Sequence, residues 1–263
     1  MMLLPLIIFG LGLIIGSFLN VVILRINTGR SVVTGRSACA RCNRTLAWYD
    51  LVPVLSFLAL RGKCRTCKTD ISFQYPFVEL ITAITFVLLY SHTLTTFGLT
   101  GMALLVFAFL ATIASLLIVI FVYDIRHHIV PDSVVYPFII LSVAAVVWRT
   151  LVLGQGGFGI GIIQGVIVAL PFFLLWACSK GRLMGFGDVK LALGMGWLLG
   201  LSVGLAAFIF SFWIGAVVGL VLLAISRRHS MKSQIPFAPF LIIGLAIAGL
   251  WGIGILTLFP LWQ

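Results

Sequence analysis

The chain alternates long apolar runs with short polar loops, apart from one extended polar stretch after the first run. A run of about 20 apolar residues can cross a bilayer as a helix. The run at residues 191–225 is too long for one such helix, and we expect it to break between Gly200 and Gly204. The pattern therefore predicts an all-α polytopic membrane protein with about eight transmembrane helices, near residues 1–24, 77–97, 101–123, 133–153, 157–178, 191–225 (two helices) and 237–259.

The polar stretch separates the first apolar run from the others. We therefore divide the chain into a first transmembrane helix at 1–24, a cytoplasmic loop domain at 25–76 and a seven-helix membrane domain at 77–263. The first run has neither a basic segment before it nor a small-residue cleavage site, which favours a retained helix over a signal peptide. Within it, Gly16 and Asn20 lie four residues apart, which predicts close packing on a neighbouring helix with Asn20 as an interhelical hydrogen-bonder.

Composition excludes a soluble globular domain, because 62% of the 263 residues are hydrophobic and only 9% are charged. The net charge of +11 would suit a nucleic-acid-binding protein, but the positions of the charges argue otherwise. An eight-helix topology places four loops on one side of the membrane, and these loops hold every Lys and Arg except Arg149. They are residues 25–75, 124–132, 179–190 and 226–236. The positive-inside rule makes that side cytoplasmic, with attraction to anionic lipid as a by-product and no nucleic-acid partner.

Four of the five cysteines form two C-x-x-C pairs in the polar stretch. Cys39 and Cys42 are separated by 21 residues from Cys64 and Cys67. This spacing is typical of a tetrahedral four-thiolate zinc site, so the loop domain is expected to be zinc-ribbon-like, with structural Zn²⁺. Two disulfides or a pair of redox motifs remain alternatives, although a reducing cytoplasm disfavours disulfides. Cys178 stands alone and is expected to be a small core residue.

Two of the six acidic residues suggest chemistry. Asp124 ends an apolar run, where a carboxylate opposes the helix dipole, and Asp188 lies in the G-x-G-D sequence that begins at Gly185. Ionisable residues at membrane depth are costly and usually functional. Two neighbouring carboxylates can share a proton, so that one activates water while the other polarises a carbonyl. We predict that Asp124 and Asp188 are catalytic, that Gly185 and Gly187 admit a substrate backbone, and that Lys190 neutralises the pair or anchors the loop.

Asp188 and Asp132 also have a structural alternative. Asp188 could cap a helix that begins at Val189, and capping is the favoured interpretation of Asp132, which follows Pro131. A transporter or assembly scaffold could also hold acids in the membrane, but it would place them near the midplane and not at one face. The zinc-protease sequence H-E-x-x-H and the serine-hydrolase sequence G-x-S-x-G are both absent from the chain.

Ordered motifs cover nearly the whole chain. They are Gly16–Val21, the four-cysteine framework, Leu46–Asp50, Leu60–Arg65, Tyr75–Glu79, Val130–Asp132, Gly185–Lys190 and Pro236–Phe240. In these motifs the chain resembles the bacterial type IV prepilin peptidases, the bifunctional leader peptidase/N-methyltransferases of pilus and type II secretion systems. The resemblance implies an eight-span G-x-G-D-type intramembrane aspartyl protease of the bacterial inner membrane, with Asp124 and Asp188 as the catalytic pair. It further implies cytoplasmic removal of the basic leader of prepilins or pseudopilins, followed by N-methylation with S-adenosylmethionine.

The chain departs from the family pattern at Ala40, Leu51 and Gln74, where proline, asparagine and arginine are usual. All three lie in or beside the loop associated with methylation, so a peptidase without methyltransferase activity remains an alternative.

Leader recognition requires acidic residues, because the leader and the predicted cytoplasmic face are both basic. The candidate leader-binding acids are Asp50, Asp70, Glu79 and Asp132. We expect neutralisation of Glu79 or Asp50 to weaken processing of a lysine-rich leader more than processing of a neutralised one.

Overall fold

A computed structural model describes residues 3–152, 154, 156–225 and 235–258 of the chain. Within this part the fold is all-helical, and two isolated β-bridges are its only extended pairing. A 3₁₀ turn spans Trp48–Asp50. The helices are α1 (Leu3–Arg25), α2 (Leu55–Ala59), α3 (Gln74–Phe97), α4 (Gly101–His127), α5 (Asp132–Leu151), α6 (Phe158–Ser179), α7 (Phe186–Ile225), α8 (Ala238–Trp251) and α9 (Ile255–Leu258).

Six of these helices, α1 and α3 to α7, are long and apolar enough to cross a membrane. The 40-residue α7 is interrupted at Gly200, whose φ of 77° and ψ of 179° lie outside helical values and suit glycine. Counting both halves of α7 and the shorter apolar α8 gives eight apolar helical segments in the part described. The predictions of a polytopic all-α fold and of a break beginning at Gly200 are confirmed.

The chain separates into two compact units, which meet at Val119 and Ile120 within α4. In the first unit, α1 packs closely on α3. A Cβ atom added at Gly16 would lie 2.6 Å from Cα of Glu79. Asn20 is buried and donates to the carbonyl of Tyr75 at 3.2 Å, which confirms its expected role between helices. The predicted boundaries at residues 24 and 76 stay a prediction.

In the second unit, α7 contacts α5, α6 and α8. Small residues allow this approach: a Cβ atom added at Gly196 would lie 2.7 Å from Cα of Gly165. Beside the break, the half-buried guanidinium of Arg149 donates to the carbonyls of Trp197 and Leu198 at 2.5 and 3.2 Å. It thereby satisfies carbonyl groups that the interruption would leave without helical partners.

Candidate active site and four-cysteine cluster

The second unit brings the two predicted catalytic carboxylates together. Asp124 lies at the end of α4 and is 4% exposed, whereas Asp188 lies in the first turn of α7 and is 7% exposed. They are near enough for the charge of Asp124 to act on Asp188. Two acids that are 64 positions apart in the chain thus share one buried environment.

Helix N-termini face both carboxylates. The carboxylate of Asp124 interacts with the backbone N–H of Ala238, the first residue of α8. The carboxylate of Asp188 interacts with the N–H of Gly185, the residue just before α7. Because α7 begins at Phe186 and Asp188 lies inside its first turn, the alternative of Asp188 as the cap of a helix beginning at Val189 is wrong. The positive ends of the two helices favour negative charge at these positions. Sequence reasoning missed Ala238, because a backbone N–H leaves no signature in residue type.

One oxygen of the pair stands out. Asp124 Oδ2 is buried and has no hydrogen-bond partner within the described part of the chain. Buried polar atoms are nearly always hydrogen-bonded, and an exception calls for an explanation such as catalysis. This atom is therefore suited to accept a proton from a reactant.

Gly187 has a packing role that the sequence did not reveal. A Cβ atom at this position would lie 2.6 Å from Cβ of Val130, in the segment between α4 and α5. Val130 thus occupies the space that was predicted to admit a substrate backbone. Gly185 differs, because it is exposed and the nearest atom to its added Cβ is Asp188 Oδ2 at 3.8 Å.

We expect Gly187→Ala to reduce the prepilin-leader cleavage that the resemblance implies by about a hundred-fold, as is typical when catalytic groups are displaced by about 1 Å. The new methyl group would push the first turn of α7, and with it Asp188, away from Val130. Gly159→Ala, in α6 of the same unit, is the control and should stay within about three-fold of wild type, since no atom lies within 4 Å of its added Cβ. Adding Val130→Gly to Gly187→Ala should restore cleavage in an initial-rate assay. Failure of this rescue, or equal losses in both alanine variants, would contradict the packing argument.

Lys190 anchors α7 to α5 and does not neutralise the pair. Its Nζ atom lies 2.6 Å from Asp132 Oδ1 and 4.7 Å from the ring centre of Tyr136. Asp132 is the first residue of α5 and makes no capping hydrogen bond, because Pro131 holds the N-cap position. The capping interpretation of Asp132 is therefore wrong. Its side chain is 62% exposed and stays available to a ligand.

Asp50, a candidate leader-binding acid, is already engaged inside the loop domain. Arg44 and Arg65 contact its two oxygens at 2.8 and 3.0 Å, and its side chain is only 3% exposed. Burial alone would raise the pKa of Asp50, but the hydrogen bonds from Arg65 and Ala47 and the two nearby positive charges lower it overall. The contacts of the ionised Asp50 therefore stabilise the fold fully at pH values above its ordinary pKa of 3.8. This stabilisation is lost as the pH falls through the lowered pKa that Asp50 has in the folded protein.

Glu79, a second candidate, is also buried, at 6% exposure. Its Oε2 atom accepts a hydrogen bond of 2.7 Å from the N–H of Val54. Of the four candidate acids, Asp70 and Asp132 alone have exposed side chains, and leader binding by any of the four stays a prediction.

The four predicted metal ligands converge in the first unit. The sulfur atoms of Cys39, Cys42, Cys64 and Cys67 all lie within 4.8 Å of one another, and all four are free thiols. Two equivalent turns form the cluster. The N–H of Asn43 bonds to the carbonyl of Cys39, the N–H of Lys68 bonds to the carbonyl of Cys64, and both donors have left-handed φ values.

The chemistry of the cluster suits a thiophilic metal. Hydrogen bonding with Thr69 lowers the pKa of Cys67 to about 6, which favours the thiolate that a metal requires. A backbone hydrogen bond at Arg44 lowers the pKa of Cys42, but burial and hydrogen bonds with the other three sulfur atoms raise it to about 11. The cluster could therefore bind a metal ion, and the disulfide alternative finds no support in it. Cys178, by contrast, is exposed on α6 and does not belong to the core, so that prediction is wrong.

Comparison with known proteins gives matches along both units. Residues 10–93 match the bacterial Peptidase A24 N-terminal domain, and residues 111–220 match the type IV leader peptidase family. The chain is 34% identical to a prepilin leader peptidase/N-methyltransferase of Bacillus subtilis, over 96% of each chain. A protein of the same name from Pseudomonas aeruginosa is 31% identical, over 92% of this chain and 88% of its own length.

A third relative with this name, from Myxococcus xanthus, is 34% identical over 86% of this chain, and the match covers 65% of the relative. No solved structure matches the chain. The family models and the full-length relatives agree in one assignment. The chain belongs to the type IV leader peptidase family, as a membrane-embedded peptidase with an associated methyltransferase activity.

Proposed function

We propose that this protein is an intramembrane aspartic endopeptidase that uses Asp124 and Asp188 to remove the short basic leader of type IV prepilins or pseudopilins. The observation that carries the proposal is the buried pair itself, with Asp124 Oδ2 lacking a partner in the described part of the chain. A purely structural carboxylate in an apolar bundle would be expected to bond through both oxygens.

The proposed mechanism divides the two roles between the carboxylates. The ionised member takes a proton from a water molecule, whose oxygen attacks the carbonyl carbon of the scissile peptide bond. The protonated member donates to the carbonyl oxygen as negative charge develops there. When the tetrahedral intermediate collapses, the C–N bond breaks and the leaving nitrogen receives a proton from the pair. The N-termini of α7 and α8 stabilise the remaining negative charge.

The membrane arrangement is part of the proposal. The basic loops support a cytoplasmic location for the active site and the cysteine loop, in the bacterial inner membrane. The leader is then cleaved on the cytoplasmic side, while the apolar helix of the prepilin stays in the bilayer.

Methylation of the new N-terminus is the second proposed activity, with S-adenosylmethionine as the donor of an activated methyl group. The names of these relatives support it. We further propose that the four cysteines hold one Zn²⁺, because their sulfur atoms all lie within 4.8 Å of one another. Its role would be structural, since four thiolate ligands fill a tetrahedral zinc site and leave no open position for catalysis.

The test uses purified full-length protein in vesicles, a synthetic prepilin with a lysine-rich leader, and S-adenosylmethionine. Mass spectrometry should find a shortened product that carries one additional methyl group at its N-terminus. A cleaved but unmethylated product would support the alternative of a peptidase without methyltransferase activity. An intact substrate would favour a transporter or scaffold and overturn the proposal.

A further inference from the structure

The polar segment between α1 and α3 leaves seven large apolar side chains exposed, namely Val33, Trp48, Tyr49, Leu51, Leu55, Leu58 and Phe73. Trp48, Leu55, Leu58 and Phe73 expose 79, 65, 64 and 69% of their surfaces, and we call these four residues the apolar face. They lie in a stretch, residues 25–75, with nine Lys or Arg residues and two Asp residues. Clustered exposed apolar side chains on such a charged segment indicate an interaction surface.

The members of the apolar face are connected through α2. Trp48 belongs to the 3₁₀ turn that contacts α2, and Leu55 and Leu58 lie one helical turn apart on it. Phe57, between these leucines in sequence, packs its ring edge-on to Phe73 with centres 6.2 Å apart. Phe57 thus joins α2 to Phe73, while Leu55 and Leu58 on the same short helix leave most of their surfaces uncovered.

A buried hydrogen bond fixes α2 at the end of a membrane helix. Val54, which immediately precedes α2, donates its N–H to Glu79 at 2.7 Å. Glu79 is the sixth residue of α3, so its Cα lies about 7.5 Å beyond the start of that helix. Val54, the N-cap of α2, has φ of 59°, a value that β-branched residues rarely adopt.

The apolar face continues onto the outer surface of α3. Phe73, Phe77 and Leu80 are spaced at i, i+4 and i+7, and Phe73 has helical φ and ψ as the N-cap of α3. They therefore form one stripe, along which Phe77 and Leu80 expose 42 and 37% of their surfaces on a helix long and apolar enough to span the bilayer. The stripe joins the apolar face to a surface that lipid covers.

The geometry points to a second membrane contact: α2 lies in the headgroup layer and turns the apolar face toward the acyl chains. Tryptophan and leucine are favoured at this depth, and the surrounding basic side chains match anionic phosphate groups. Glu79 acts as a positioning residue that sets the depth of α2. The contact holds the four-cysteine loop against the bilayer surface, and it does not depend on the proposed peptidase activity.

The test measures the fluorescence of Trp48 in the full-length protein. This signal is obtained by subtracting the emission of the Trp48→Phe variant from the emission of wild type. The protein is reconstituted into vesicles of phosphatidylglycerol and phosphatidylcholine, with or without bromine near the glycerol end of the acyl chains. Bromine should reduce the Trp48 emission to about half or less, because an indole in this layer lies ~5–10 Å into the headgroup boundary. Glu79→Gln should weaken the quenching.

Variants distinguish lipid contact from local unfolding and from substrate docking. Leu55→Glu with Leu58→Glu should abolish the quenching, whereas Val33→Glu should retain it, since Val33 is 88% exposed in the same segment. Metal content and thermal unfolding verify that each variant is folded. If the double glutamate variant does not fold, the milder double variant Leu55→Gln with Leu58→Gln replaces it. Undiminished Trp48 emission in brominated lipid would overturn the proposal. Quenching that appears only after prepilin is added would overturn it as well, since the apolar face would then dock substrate.

Discussion

Replacing either Asp124 or Asp188 with asparagine is expected to reduce leader cleavage at least about a thousand-fold, which is typical when one member of a cooperating catalytic pair is lost. Asparagine has nearly the same shape but can neither take a proton from water nor donate an acidic one to the carbonyl oxygen. Initial rates on a synthetic prepilin, measured with purified protein in vesicles, provide the test.

The same substitutions should leave thermal stability unchanged or raise it. Two buried carboxylates repel each other, so removal of one charge relieves a cost that the folded protein accepts for its function. A structural role predicts the reverse, with lower stability in both variants. Asp70→Asn is the control, because this carboxylate is exposed and lies outside the unit of the pair, and with a neutralised leader it should cleave at close to the wild-type rate.

Replacing Cys64 with serine is the second change with a large expected effect. Cys64 is the buried member of the cluster, at 6% exposure. Loss of one of four thiolates should weaken metal binding by more than the roughly 10–100-fold lost when an outer partner of a metal ligand is removed. Metal analysis should find about one zinc ion per wild-type chain and far less in the variant, given the tetrahedral four-thiolate stoichiometry.

The cysteine variant should affect the two activities unequally. The cluster belongs to the first unit and the aspartate pair to the second, so leader cleavage should persist while methylation declines. Cys178→Ser is the control, because this thiol is exposed and lies outside the cluster, and it should change neither metal content nor activity. Full metal content in Cys64→Ser, or loss of metal in Cys178→Ser, would contradict the assignment.

Local patterns in the sequence were sufficient for several features of the fold. Apolar runs of spanning length predicted the helices, the glycine at position 200 predicted the break in α7, and the C-x-x-C spacing predicted the cluster. The helices and the break in α7 depend on residues that are close together in the chain. The cluster depends on the spacing between cysteines, which by itself restricts how they can bind a metal. The helices and the cluster could therefore be derived without knowledge of how the helices pack.

Contacts between distant helices could not be predicted in this way. The N–H of Ala238 beside Asp124, the approach of Gly187 to Val130 and the pairing of Lys190 with Asp132 all arise from the packing of the second unit. The acids of the first unit illustrate the same limit. Whether Asp50 and Glu79 face solvent or a partner depends on how the loop folds back on α3. Residue type indicated that these acids matter, but not what each one binds.

The central claim is that Asp124 and Asp188 act as a single catalytic unit. The most direct test compares kcat/KM for leader cleavage in wild type, Asp124→Asn, Asp188→Asn and the double variant, under single-turnover conditions with enzyme in excess. Residues that act as a unit give strongly non-additive losses. The account predicts that the double variant is as slow as either single variant, within about three-fold. Losses that multiply in the double variant, or a wild-type rate in either single variant, would contradict it.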